Sequence, residues 1–385
     1  MPGIASANDV FNAITQGRQY RFDWTKSFNP TTAAAVSETH IMTRGNGNPG
    51  PDSLFNTGTN LSFQAVTKDT TGASSIPHGS DVQADGFYKH LLVGSAYSVA
   101  ATTMPSIARL IDIIGFYRVT TVTTTTAQST TNTLGQTSTF TADAGTDIIT
   151  HSGTNLLNGT RVQLTTTTTL PAGLALATDY YLIKLSDTTA KLATSYANAI
   201  AGTGIDITDA GTGTHTLNWL LPRYTNGDGV FATFFNSNAT PLGAGTPNLS
   251  LGYTNSVQAG SRATPTTLPI GKTAASNTLV LYSGTGNGKF QIATPLQGAD
   301  AGIAKVDTIQ NSTSYVSGEY TVLLYKPMLD VQMPALGIGN TVNCLYDIPS
   351  LPRVYDGAAL YWALTSSVAT PANSAFNGFL QFVWN

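Results

Sequence analysis

The stretch Glu319-Tyr320-Thr321-Val322-Leu323-Leu324-Tyr325 reads as a β-strand with apolar side chains on both of its faces. Successive side chains in a strand point to opposite sides, so an unbroken apolar run implies cover above and below. Its β-branched and aromatic residues suit a strand. Further short β patterns recur through residues 219–385 at the spacing of a sandwich, clearest at 231–235, 249–253, 278–282 and 358–364. The C-terminal Phe379-Leu380-Gln381-Phe382-Val383-Trp384 is too apolar to lie free in water and must be docked somewhere.

Composition points the same way. Charged residues are 10% of the 385-residue chain, against about 25% in ordinary globular domains. Thr, Ser, Asn and Gly take their place, and only two glutamates occur, Glu38 and Glu319. Exposed helix faces favour Glu and Lys, whereas Thr and Tyr suit strands. With 37 glycines and 18 prolines as well, the chain is expected to be all-β. The architecture expected is a β-sandwich or jelly-roll-like body with an extended N-terminal arm and an inserted small β domain.

The arm is expected over residues 1–60, including its extended loop. Ser6-Ala7-Asn8-Asp9 resembles a capping box with Asp in place of Glu, and Gly17 is placed to end a short helix carrying Val10, Phe11 and Ile14. Residues 18–28 then alternate, with Tyr20, Phe22 and Trp24 on one side and Arg21, Asp23 and Thr25 on the other. A breaker-rich stretch with Gly45, Gly47, Pro49, Gly50 and Pro51 follows. The pattern fits an arm that wraps a neighbouring subunit through Phe11, Ile14, Tyr20, Phe22, Trp24 and Phe28. Removing residues 1–29 is then expected to weaken attachment and leave the body folded.

The body is expected from 61–119 and 219–385. Within it, Ser106–Gly115 (SIARLIDIIG) fits a helix or a strand, since a short apolar run does not separate them. Residues 120–133 are nearly all Thr, Ser, Asn and Gln and read as a solvated spacer. Residues 134–218 read as a separate small β domain, with a turn at Asn158-Gly159 and strand patterns at 161–164 and 180–185. Such an insertion suits a loop whose ends lie close together.

Signatures of chemistry are few. His40, His78, His90, His151 and His215 are widely spaced, with no HExxH, CxxC or metal-ligand spacing. The run Gly284-Thr285-Gly286-Asn287-Gly288-Lys289-Phe290 departs from a phosphate-binding loop: Ser283 stands at the first glycine and Phe290 follows the lysine. It reads as a turn. Asn226-Gly227-Asp228-Gly229 and Asp206-Ile207-Thr208-Asp209 lack the ligands of a calcium loop. Several Asp residues sit in turns such as Asp143-Ala144-Gly145. A glycoside-cleaving carboxylate pair needs a cleft that sequence does not reveal. No catalytic, cofactor-binding or metal-binding residue is assigned, and the chain is expected to be neither an enzyme nor a cofactor carrier.

The formal net charge of −3, with scattered Lys and Arg, disfavours direct nucleic-acid binding. The single Cys344 cannot form an intrachain disulfide and reads as a small buried residue. MPGIASANDVF lacks the features of a secretory leader, and no apolar run nears the ~18–20 residues of a membrane span. The expectation is a product made in a cytoplasm and soluble until it assembles.

Two segments carry a resemblance. Leu221-Pro222-Arg223-Tyr224-Thr225-Asn226-Gly227-Asp228-Gly229-Val230, with 249–255 (LSLGYTN), Arg262 and an upstream 110–117 (LIDIIGFY), resembles a family of capsid-associated virion proteins of tailed bacteriophages. The separation of LIDIIGFY from LPRYT is longer here than in that family, because the small domain intervenes. Residues 140–147 (FTADAGTD), 170–174 (LPAGL), 179–181, 191–193 and 209–216 (DAGTGTHT) resemble a mobile β module common in phage structural proteins. The resemblance implies a head decoration, cement or vertex protein, located in the virion and made in the host bacterial cytoplasm. It implies partners that are copies of itself, a trimer being one option, and the major capsid protein or other virion proteins, with no membrane. A host-surface glycan-binding adhesin or tail-associated protein is the alternative, and a glycan-cleaving enzyme ranks last.

Overall fold

The computed structural model of the protein describes residues 4, 6–28, 39–42, 54–56, 59–70, 72–79, 88–100, 106–130, 137–152, 158–186, 188–219, 221–224, 227–235, 248–257, 262–264, 293–348, 351–366 and 374–384. The expected strand at 278–282, the Gly284–Phe290 turn and the breaker-rich 43–51 stretch lie outside them.

Helix α1 (Ala7–Thr15) opens the chain. Strands β1 (Gln19–Phe28), β2 (Thr39–Ile41), β3 (Phe63–Ala65), β4 (Lys89–Ala100), β5 (Ser106–Val119) and β6 (Gln128–Ser129) follow, with a 3-10 turn at Leu54–Asn56. Next come β7 (Thr137–Asp143), β8 (Ile148–His151), β9 (Arg161–Thr166), β10 (Tyr180–Lys184), β11 (Thr189–Ala193), helix α2 (Tyr196–Ala201) and β12 (His215–Trp219). The remainder holds β13 (Phe231–Phe235), β14 (Leu249–Asn255), β15 (Arg262–Ala263), β16 (Ile303–Asn311), β17 (Tyr320–Met333), β18 (Asn340–Asn343), β19 (Arg353–Val354), β20 (Leu360–Ser366) and β21 (Ser374–Trp384). The protein is all-β, and every named strand pairing is antiparallel.

The central sheet runs β13-β17-β5-β20-β2, with β3 also on β5. Strands β5 and β17 are 14 residues each and pair from Ser106↔Met333 to Val119↔Tyr320. At ~3.3 Å per residue they extend for about 45 Å, long enough to carry two smaller sheets in succession. The 106–115 segment is therefore strand.

One face of the central sheet packs on both smaller sheets. At one end Leu110, Leu329, Val331 and Trp362 meet Trp24, Leu91, Leu380 and Phe382 of the sheet β1-β21-β4-β18. At the other, Ile114, Tyr117, Phe234 and Val322 meet Leu249, Leu251, Val306 and Ile309 of the sheet β15-β14-β16-β6. The opposite face is covered by Leu54, Phe55 and Val66, which pack on Ile113, Phe116, Leu323 and Tyr361. Residues 320–325 are all buried as a result, Val322 and Leu324 on one face, Leu323 and Tyr325 on the other. These layers make the body a β-sandwich.

Two expectations are corrected. The 19–28 segment is no free arm: β1 pairs with β21 from Gln19↔Val383 to Phe28↔Ser374, and β21 in turn pairs with β4. Its aromatic face closes the apolar surface left by Leu380 and Phe382, so the C-terminal strand docks between β1 and β4. The Thr-rich 120–130 stretch is largely exposed but is no free spacer, since it follows a fixed path on the body. Val122 is buried in the core, β6 pairs with β16, and the Asn311 amide donates to Val122 O and Thr124 O at 3.1 and 3.2 Å. Side-chain amides satisfy the backbone carbonyls here, which lets a polar sequence hold a fixed path. Thr130 adds a hydroxyl bond to Val306 O at 2.8 Å.

Residues 137–219 form a closed barrel in the order β10-β11-β8-β7-β12-β9 around Phe140, Ile149, Leu164, Leu182, Leu192 and Leu217. Its first and last strands are neighbours, with Thr137 opposite Asn218. Paired residues in adjoining antiparallel strands lie about 5 Å apart, so the two ends of the barrel lie side by side.

Candidate functional site

The motif residues converge on two carboxylates. Asp112 is the one acidic residue of β5, and its side chain is 0% exposed. Arg223 of the LPRYT segment grips it through both ends of its fork, Nε to Oδ2 at 2.9 Å and Nη2 to Oδ1 at 2.8 Å. The remaining donors reach Val66 O, Gly357 O and Ile113 O at 2.8–2.9 Å. Tyr224 OH and Ala359 N complete the shell of Asp112, each at 2.9 Å. Such bidentate, fully bonded geometry is what a buried ion pair needs to offset its desolvation. Four chain segments meet at this point.

Tyr224 pays a conformational cost there, with φ +55° in a left-handed region that disfavours non-glycine residues. Burial and the neighbouring Asp112 carboxylate push its phenol well above the usual tyrosine range. It is therefore a fixed hydrogen-bond donor rather than a titrating group.

Asp300 is the second node. Arg262 donates to it twice, at 2.7 and 3.0 Å, Tyr253 OH at 2.7 Å and the Asn255 amide at 2.8 Å. Tyr253 and Asn255 belong to the LSLGYTN stretch, so both it and Arg262 serve one carboxylate. The Arg262 bond and the other donors hold this carboxyl well below its ordinary value, against the opposing pull of its desolvation. A carboxylate so stabilised is a poor proton donor and cannot act as the general acid of a glycosidase at neutral pH.

The histidines serve separate parts of the fold. His78 Nε2 lies 3.0 Å from Ala358 O, His90 Nδ1 3.3 Å from Leu351 O, and His215 bridges Thr166 Oγ1 and Ala210 O at 2.9 and 3.1 Å. His151 is buried in the barrel, and the His40 side chain is outside the described residues. Among the described residues no group of three or more His, Cys, Asp or Glu could hold a metal ion. No described helix is long and apolar enough to cross a membrane.

The six arm residues divide. Trp24 is buried in its own chain's core, which removes it from the candidate subunit contacts. Tyr20 and Phe22 are half-buried against that same core, Tyr20 stacking on Phe382 at 6.3 Å between ring centroids. Ile14 is half-buried beside Val10 and Val383. Phe28 lies in β1, but its side chain is outside the described residues. Of the five whose side chains are described, Phe11 alone stands clear, at 66% exposure.

Other exposed apolar residues escape a sequence reading. Val99, Leu336 and Ile338 project around the 335–338 turn, which is tied to β4 by Gly337 N to Ser98 O at 3.0 Å. This turn lies beside β18, a terminal strand of its sheet. The barrel has its own anchor: Tyr196 at the start of α2 donates to Asp69 Oδ2 at 2.9 Å, and its ring covers Gly357 and Gly159. A carboxylate inside the apolar run 110–117 was a readable signal for Asp112. Asp300 and Tyr196 carry no comparable mark.

Comparison with known proteins adds little. No protein-family profile matches the chain, and no characterised protein matches it in sequence. The solved structures similar to it include the infectious bursal disease virus VP2 subviral particle, 10% identical, covering 79% of this chain and 83% of that one at a TM-score of 0.12. A point mutant of that VP2 protein in particles of the same virus is 12% identical over 82% and 81%, with a TM-score of 0.10. Likeness at this level carries no argument.

Proposed function

We propose that the chain is a structural protein of a virus particle, a decoration, cement or vertex protein on the head of a tailed bacteriophage. It works through contact with copies of itself and with shell protein, not through catalysis. One observation carries the reading. The residues behind the resemblance, Arg223, Tyr224, Tyr253, Asn255 and Arg262, are all spent in closed networks around Asp112 and Asp300. Such residues preserve a shape, and a preserved shape is what a shell contact requires.

The charge-poor, Thr-rich surface supports this. Burying unpaired charge is costly, so a surface that must bury on the order of 1,000 Å² or more does so most easily with few ions. Phe11 and the Val99–Leu336–Ile338 group supply outward apolar anchors. The test is to mix the purified chain with phage heads lacking it. Saturable binding that makes the shells resist heat supports the proposal. Binding to host envelopes and none to heads favours the adhesin reading instead.

A further inference from the structure

We propose that the cavity between Tyr224, Lys326, Met328, Leu351, Arg353 and Tyr355 binds a small organic acid, its carboxylate held by Arg353 and Lys326. The cavity holds about 370 Å³, within the range of small-molecule sites. The inference does not depend on the virion reading.

Arg353 carries the argument. Arg21, Arg109, Arg118, Arg161, Arg223 and Arg262 each face a carboxylate. Arg353 instead lies against two tyrosine rings, its guanidinium carbon 3.9 Å from the centroid of Tyr88 and 4.2 Å from that of Tyr355. Among the described residues its guanidinium has no hydrogen bond and no ion pair, and its Nε is buried without a partner. Contact with the two rings uses none of its N–H donors. That arrangement fixes a planar, bidentate site for a carboxylate.

The surroundings agree. Among the described residues no Asp or Glu lines the cavity, and Asp112 behind Tyr224 is already neutralised by Arg223. Lys326 gives one bond to Asp228 O at 2.9 Å and sits 5.4 Å from the Tyr224 ring centroid. An ammonium has three donors, so two remain. Met328, Ile348 and Leu351 form an apolar wall suited to the body of the molecule. A bare inorganic anion would leave that wall unused, and a polyanion would need a longer row of cations than two.

Calorimetric titration of the full-length protein with sodium benzoate, uncharged benzamide and inorganic phosphate tests this. Benzoate is expected to bind saturably, with benzamide and phosphate each at least about tenfold weaker. R353Q should lose benzoate binding, and R353K, which keeps the charge without the planar fork, should weaken it. Equal binding of benzoate and benzamide, equal binding of phosphate, or no saturable binding of benzoate would overturn the proposal. These comparisons on the unmodified protein stand even if a variant fails to fold.

Discussion

Trp24, near the start of the chain, and Trp362, near its end, meet with ring centroids 5.1 Å apart across the gap between two sheets. Trp24 lies directly opposite Gly378 in β21, and a Cβ on that glycine would fall 2.9 Å from the indole nitrogen and 2.1 Å from Ser95 O. The glycine thus opens the space the indole fills. Trp24→Ala should cost about 3–5 kcal/mol, as large-to-small changes of buried aromatics do. Removing residues 1–29 should unfold the β1-β21-β4 sheet, the reverse of what an independent arm predicts. Thermal unfolding with near-ultraviolet circular dichroism checks both.

The Asp112–Arg223 pair makes a second prediction. With side chains 0% and 2% exposed, loss of one partner strands a buried charge and should cost about 3–5 kcal/mol. Asp112→Asn and Arg223→Met should each lower the urea midpoint strongly. The double variant should cost less than the sum of the two, since the stranded charge is then gone.

His78 gives the pH dependence. Burial, with the Lys89, Lys68 and Arg223 charges, pushes its imidazole down from 6.5 to about 3. Its folded-state value is depressed, so the unfolded chain takes up a proton first as pH falls. The stabilisation is fully present above 6.5 and is lost progressively from 6.5 toward about 3. Stability should therefore fall by up to ~1.4 kcal/mol per pH unit from this group. Urea titrations between neutrality and about pH 5, where ordinary carboxylates remain ionised, should show a shallower fall in His78→Gln.

The barrel should be separable. Since Thr137 and Asn218 are register partners, the ends of the barrel lie side by side, and after excision of 134–218 with the flanks joined the remaining body should fold. Tyr196→Phe, which removes the bond to Asp69, should make the barrel's connections more sensitive to limited proteolysis without unfolding either part. Loss of cooperative unfolding in the excised chain would show that the body needs the barrel.

Local patterns carried much of the architecture. The doubly apolar Glu319–Tyr325 stretch, the aromatic period of β1 and the apolar C-terminus each announced strands, because side-chain alternation is a local property. What lay beyond local pattern was the partner. An aromatic stripe at Tyr20–Trp24 asks to be covered but does not say whether its own chain or a neighbour provides the cover. The Thr-rich 120–130 stretch looked like a free spacer because the amides that fix it, from Gln310 and Asn311, lie far downstream. The same holds for Asp112 and Arg223, 111 residues apart, which no spacing rule joins. Arg353 and its two tyrosines were equally hidden, since the cavity is assembled from separate strands and loops.

A cryo-electron microscopy reconstruction of the intact particle decides whether this chain is the contact-making part of a phage head proposed above. Density fitting the sandwich is expected on the outer shell, repeated at every symmetry-equivalent position, with the barrel held to it by its two adjacent ends and the Tyr196–Asp69 contact. Density confined to the tail or its fibres, or none on the particle at all, would contradict the proposal.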